Sequence, residues 1–236
     1  MIYAYLALGA VALVLYIGIK VKGCTLTAVF LKTIVSVMFI ATAVCAASMT
    51  RPIGTALTAG GLVTMGLVFG LLGDIWLDLK YVFRERDDAF TYAGFTAFAI
   101  GHVLYITAML IRFFPKGKPL HLVLPFVLAV LLSVGNALLE KPTKLHFGKM
   151  KPIAFAYGIL LFSTLFLSLS LCIFWGWQER ALVFMFIGAV LFTASDLVLS
   201  GTYFGVGRDR PVDIILNYVT YYPAQFLIAL SLLFLK

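Results

Sequence analysis

The chain has 236 residues, of which 63% are hydrophobic and 12% are charged, and its mean hydropathy is +1.07. Soluble domains carry about 25% charged residues, so this composition excludes a soluble globular domain, and its high hydrophobicity excludes a disordered segment. The net charge of +8 does not indicate nucleic-acid binding, because the chain has almost no water-facing surface on which basic and aromatic residues could be presented.

Polar residues and prolines divide the chain into eight apolar segments, each close to the 20 or so residues that a transmembrane helix needs. The predicted spans are residues 3–19, 28–49, 54–77, 90–111, 120–139, 152–175, 181–200 and 213–235. Segments of this length are too long for strands, and the alternation typical of a membrane barrel is missing. No connection is long enough to mark a domain boundary. The sequence therefore predicts an all-α integral membrane protein, a bundle of about eight transmembrane helices forming a single domain over residues 1–236.

Lysine and arginine are unevenly distributed between the two sets of connections. One side has eleven (Lys20, Lys22, Lys80, Arg84, Arg86, Lys141, Lys144, Lys149, Lys151, Arg208 and Arg210), and the other has six (Arg51, Arg112, Lys116, Lys118, Arg180 and Lys236). Because cytoplasmic loops are the richer in these residues, both termini are predicted to be non-cytoplasmic. The expected membrane is a bacterial plasma membrane, or the endoplasmic reticulum if the source is eukaryotic.

Several polar side chains lie inside the predicted spans. A charged residue at the centre of a span costs about 2.5–3.5 kcal/mol on the insertion scale, so such residues usually face the bundle interior and serve a function. The candidates are Lys32, Asp74, Asp78, His102, Tyr105, Asn136, Asp196, Ser200, Asn217, Tyr218, Tyr221, Tyr222 and Gln225. Odd spans end and even spans begin on the same side, so these residues fall in one half of the membrane, except that His102, which shares a helix face with Tyr105, lies deeper. We predict a polar chamber that opens toward the cytoplasm.

Plainer roles stay open for some of these residues. Asp78 is also compatible with solvation at the interface, Lys32 with snorkelling rather than pairing with a carboxylate, and His102 with a hydrogen bond in the core. Gly66 and Gly70 form a small-xxx-small step that lets a neighbouring helix approach closely.

The carboxyl groups indicate acid/base chemistry. Two carboxylates in a shielded chamber repel each other, so one of them can keep its proton beside an ionised partner, and such a pair suits reactions through an oxocarbenium-like cation. A three-histidine zinc site is excluded because His121 and His146 lie on opposite sides of the predicted topology. Neither a nucleophile elbow, a P-loop nor an H-E-x-x-H motif is present.

Four short motifs in chain order resemble one family. They are Leu71-Leu72-Gly73-Asp74, Gly101-His102-x-x-Tyr105, Ser195-Asp196-x-x-Leu199 and Tyr221-x-x-Ala224-Gln225-Phe226-Leu227. In this combination the chain resembles the YhhN-like family of membrane lysoplasmalogenases over nearly its whole length. The resemblance implies hydrolysis of the vinyl ether bond of lysoplasmalogens to a fatty aldehyde and a glycerophospho-headgroup. It also implies that Asp74 and Asp196 are the catalytic residues.

The expected partners are a lysophospholipid-type substrate and membrane lipids, with no nucleic acid, metal or organic cofactor. Arg208 and Arg210 are candidates for binding the substrate phosphate, although the positive-inside charge bias explains them equally well. Two alternatives stay open: a proton-coupled transporter of lipids or small molecules, since intramembrane carboxylates also serve proton coupling, and a lipid-binding sensor without turnover.

Overall fold

The computed structural model describes residues 1–140, 142–205 and 210–235, and its principal elements are eight α-helices. They are α1 (Ile2–Lys20), α2 (Leu26–Thr50), α3 (Gly54–Val82), α4 (Asp87–Phe113), α5 (Leu120–Leu138), α6 (Lys151–Phe174), α7 (Arg180–Phe204) and α8 (Pro211–Ser231). Each predicted span coincides with one helix, and the predicted all-helical membrane bundle is confirmed. Short 3₁₀ turns precede α4 and α6 and follow α8.

The helices differ from the predicted spans mainly at their ends. Helix α3 continues to Val82, past the predicted end at residue 77, and α4 begins at Asp87, ahead of residue 90. The prediction placed breaks at charged residues, but an α-helix satisfies its own backbone hydrogen bonds and can project beyond the apolar layer. Asp87 and Asp88 in the first turn of α4 also interact favourably with the helix dipole.

Seven of the eight described helices, α1 to α7, are long and apolar enough to cross a membrane. Helix α8 is not among them because its sequence includes Asn217, Gln225 and a group of tyrosines. These side chains are nevertheless buried, since α8 packs against α1, α2, α3 and α7. The polar face of α8 thus points at its neighbours, while Ile215, Leu216 and Val219 are exposed.

Close helix contacts bring the polar residues together. A β-carbon at Gly101 of α4 would lie 3.1 Å from the backbone oxygen of Gly66 in α3, so these two helices touch at their backbones. One at Gly70 would lie 2.9 Å from the Gln225 amide of α8. The close approach predicted at Gly66 and Gly70 therefore exists, toward α4 and α8 respectively.

Asp74 and Asp196 lie at similar depth in the bundle. Each stands eight residues before the last residue of its helix, which is Val82 for α3 and Phe204 for α7. At 1.5 Å per residue this is about 12 Å from the helix end. Both helices end on the same side of the bundle, as the alternation of spans predicts.

Candidate active site

Four charged side chains from three helices form a buried group, called here the charge cluster: Lys20, Lys32, Asp74 and Asp78. The Lys20 Nζ lies 2.8 Å from Asp78 Oδ1, and Lys32 Nζ lies 3.3 Å from both Asp74 Oδ1 and Asp78 Oδ1. Each residue is at most 7% exposed. Two cations and two carboxylates thus balance in charge, as burial requires.

Hydroxyl groups bind the remaining carboxylate oxygens of the cluster. Tyr16 donates to Asp78 Oδ2 at 2.9 Å, while Ser36 and Tyr221 donate to Asp74 Oδ2 at 2.6 and 3.0 Å. Both carboxylates are therefore fully engaged, and the two aspartates hold α1, α2, α3 and α8 together.

A second layer of hydrogen bonds supports Tyr221. The Gln225 amide donates to the Tyr221 hydroxyl at 2.9 Å, and Tyr105 donates to the Gln225 carbonyl oxygen at 3.4 Å. Tyr218 packs edge-on against the Tyr16 ring at 4.8 Å, and Lys32 lies over the Tyr218 ring at 5.2 Å.

A cavity of about 270 Å³ lies between α4, α5, α6 and α7 at the same end of the bundle. Its lining is mostly aromatic and aliphatic, with Phe95, Phe98 and Leu161 as examples. Asp196 lies in its wall and accepts a hydrogen bond from the Tyr157 hydroxyl. Among the residues that the structure describes, Asp196 forms no ion pair.

The single polar chamber predicted from the sequence is corrected to two compartments. Asp74 belongs to the charge cluster and is not among the described residues that line the cavity. The Tyr221 ring, which holds Asp74, packs against Phe98 at 6.0 Å and Phe192 at 5.3 Å, and Phe98 lines the cavity. Aromatic rings therefore lie between the two carboxyl groups. Large side chains on α4 and α7 fill space that the polar pattern alone assigned to water.

The other predicted site residues divide between these compartments. Asn136 and Ser200 line the cavity. His102 is buried, with its Nδ1 3.0 Å from Thr164 Oγ1, and its ring contacts Tyr157 at a centroid distance of 5.6 Å. His102 therefore lies between the two compartments. In this position it is neither a metal ligand nor a base in contact with water.

Two of the predicted site residues on α8, Asn217 and Tyr222, serve helix packing. Asn217 donates to the backbone oxygen and the hydroxyl of Ser195 at 3.0 and 2.9 Å, and so joins α8 to α7. The Tyr222 ring is fully buried against Tyr221 and Phe39.

Of the two arginines predicted to bind the substrate phosphate, one lies within the described residues, and the pair stays a prediction. Arg208 lies outside the described residues. Arg210 is exposed and forms a bidentate pair with Asp213, at 2.9 Å from Nε to Oδ2 and 3.0 Å from Nη2 to Oδ1. This hydrogen bonding raises the pKa of Arg210 further and engages the guanidinium at the start of α8. Lys151 is also exposed and paired, with Glu140, but unlike Arg210 it is one of the residues that line the cavity.

A short loop covers part of the cavity and is called here the rim loop (residues 139–140 and 142–147). Phe147 donates its backbone N–H to Glu140 Oε1 at 3.1 Å, and Lys151 donates to Glu140 Oε2. The backbone N–H of His146 donates to the Phe204 oxygen at 2.7 Å, which fastens the loop to the end of α7. The Lys151 bond and the Phe147 N–H hold the pKa of Glu140 below its usual range.

The rim loop is expected to loosen in acid. Because the pKa of Glu140 is lower in the folded protein, its stabilising contribution is complete above the unfolded value of about 4.3 and is lost as the pH falls through the folded value. A spin label at the exposed position of Lys144→Cys should therefore become more mobile as the pH falls below the unfolded value of about 4.3. In Glu140→Gln the label should be mobile already at neutral pH and insensitive to acid, and an acid-insensitive wild-type loop would contradict this assignment.

Several contributors to the site are absent from the predicted set: Tyr16, Lys20, Ser36 and Tyr157. Tyr16 and Lys20 are four residues apart, so they share a face of α1, and Ser36 follows Lys32 at the same spacing. That spacing is a usable signal, but the count of basic residues in the connections places Lys20 in a loop. Tyr157 carried no local signal, because its partner Asp196 is 39 residues away.

Among the described residues, no group of three His, Cys, Asp or Glu side chains is placed to hold a metal ion. The fold and site define an integral membrane helical bundle with buried carboxyl groups beside an apolar cavity. The model of the YhhN family matches residues 27–232, and the chain belongs to that family. The match begins in α2, so Tyr16 and Lys20 lie outside it. No curated protein and no solved structure matches the chain.

Proposed function

We propose that this protein is a hydrolase of the lysoplasmalogenase type, which cleaves the vinyl ether bond of a single-chain ether phospholipid within the membrane. The observation that carries the proposal is the position of Asp196, a carboxyl group without a cation partner in the described structure, in the wall of an apolar cavity. Membership in the YhhN family is compatible with this activity.

The cavity suits one alkyl chain with a polar end. Aromatic and aliphatic side chains form most of its wall, and Lys151 lies at its edge, where a phosphate can meet it. Leu197 lines the cavity and is 55% exposed on the outside of α7. In this proposal an alkyl chain enters the cavity from the lipid side, past Leu197.

In the proposed reaction, Asp196 is the proton donor. Its proton goes to the vinyl carbon farther from the ether oxygen, and the resulting oxocarbenium ion is attacked by water, which loses a proton to the carboxylate. The hemiacetal then loses its hydroxyl proton and breaks its bond to the glycerol oxygen, which takes up a proton, giving the fatty aldehyde and the free glycerophospho-headgroup. A carboxyl group that is not paired with a cation in an apolar wall is suited to carry this proton.

In this scheme Asp74 stabilises the transition state from outside the cavity. It pairs with Lys32, and its carboxyl group lies behind Phe98 and Tyr221. Negative charge near the developing cation lowers the energy of the transition state in a site of low dielectric constant. Tyr157 holds the Asp196 carboxyl in place.

The charge cluster is the specific observation that favours a transporter instead. Buried pairs of lysine and aspartate also occur in proton-coupled transporters. A sensor that binds lipid without turnover is the third possibility. We further propose that both termini lie on the non-cytoplasmic side, so that the cavity and the charge cluster lie toward the cytoplasm.

Purified protein in detergent, supplied separately with a lysoplasmalogen and with an acyl lysophospholipid of the same chain length, discriminates among these functions. The hydrolase should release fatty aldehyde from the first and no fatty acid from the second. Vesicles that accumulate the lipid without any product would support transport, and binding without either result would support a sensor.

A further inference from the structure

A buried hydroxyl in the cavity wall has no hydrogen-bond partner in the described structure. Ser133 of α5 is 3% exposed and is one of the residues that line the cavity, and its Oγ has no hydrogen-bond partner among the described residues. Serines inside helices commonly donate to the carbonyl oxygen four residues earlier, as Ser48 does here. A buried hydroxyl without this bond, on a residue that lines a cavity, is a candidate for binding a ligand there.

Ser133 belongs to a band of polar groups. Asn136 lies three residues later on the same side of α5, and Asp196 and Ser200 lie four residues apart on α7; all four line the cavity. The rest of the lining is largely apolar. A ligand that satisfies this band must carry a hydrogen-bonding group beside its alkyl chain.

We propose that Ser133 and Asn136 form a subsite that binds the free hydroxyl of the glycerol backbone in a single-chain ether phospholipid. This inference rests on the proposed function. In such a lipid the free hydroxyl is on the carbon next to the one that bears the ether oxygen, so an ether group beside Asp196 has the hydroxyl within reach of α5. A substituent on that hydroxyl removes its proton and adds bulk, and the subsite thereby selects against lipids with two chains.

The chain offers a matched control. Ser163 of α6 is 1% exposed, and its Oγ also has no partner in the described structure, but Ser163 is not among the residues that line the cavity. Ser133→Ala and Ser163→Ala therefore remove the same group at equal burial, and only the first removes it from the cavity.

The probe is a saturated alkyl-ether lysophospholipid, which has no vinyl group to protonate, together with its analogue methylated on the free hydroxyl. Dissociation constants would be measured by calorimetry on folded protein in detergent. Wild type should bind the hydroxyl form about tenfold more tightly than the methylated form, since one good hydrogen bond supplies a factor of this size. Ser133→Ala should lose that preference by weakening only the hydroxyl form, and Ser163→Ala should retain it.

Asn136→Leu provides a second variant with the same expected loss if Ser133→Ala does not fold. The subsite is overturned if wild type binds neither probe, binds both equally, or keeps its preference in both cavity variants. Selective binding of the saturated probe without release of aldehyde from the vinyl ether would support the subsite and overturn the hydrolase, so the two proposals fail separately.

Discussion

Asp196→Asn is expected to lower aldehyde release by at least about 100-fold while the protein stays folded. General acid catalysis contributes about 10²–10⁴-fold, and an amide cannot deliver the proton. The change preserves the shape of the side chain in the cavity wall, so the melting temperature and the affinity for a saturated ether probe should change little. The measurement is initial rate against lysoplasmalogen concentration, with unfolding followed in the same detergent.

Two further variants test whether the effect is specific to Asp196. One removes its hydrogen-bond partner, and the other changes a carboxylate elsewhere in the protein. Tyr157→Phe removes the hydrogen bond to Asp196 and should lower turnover by about tenfold, or about 1.4 kcal/mol, with little change in KM. Asp88→Asn changes an exposed carboxylate that pairs with Lys149 and should be indistinguishable from wild type. Near-normal turnover in Asp196→Asn would remove this residue from the mechanism.

Asp78→Ala is expected to cause the largest loss of stability, about 3–5 kcal/mol, because removing one partner leaves a buried charge uncompensated. Asp78 accepts hydrogen bonds from Lys20, Lys32 and Tyr16. Without it, Lys20 loses the carboxylate that it pairs with at 2.8 Å, and Lys32 keeps only Asp74. Unfolding by denaturant or heat in detergent micelles measures the effect.

Two further variants test whether charge balance is the cause. Lys20→Met combined with Asp78→Asn removes one charge of each sign and should be clearly more stable than Asp78→Ala. Lys149→Met breaks an exposed pair with Asp88 and should cost at most about 1 kcal/mol. If Asp78→Ala is no less stable than Lys149→Met, the cluster does not hold the bundle together.

Part of the candidate site could be predicted from the polar residues within the spans. The period of the helices and the alternation of the spans predicted that Lys32, Asp74 and Asp78 lie at one end of the bundle, and their pairing follows from the need to balance buried charge. The separation of Asp74 from Asp196 was not predictable, because it depends on the rings of Phe98 and Phe192, which as isolated residues are indistinguishable from other core aromatics.

By itself, the amino-acid sequence determined the helical membrane fold, the approximate limits of each helix and the end of the bundle where the polar groups collect. These properties depend on composition and on residue spacing along one chain. Only the tertiary structure decided that Tyr16 and Lys20 complete the charge cluster, that Tyr157 holds Asp196, and that Ser133 faces a cavity without a partner. Such contacts join residues from different helices, and they depend on how side-chain volumes pack between helices, for which a single sequence carries no local signal.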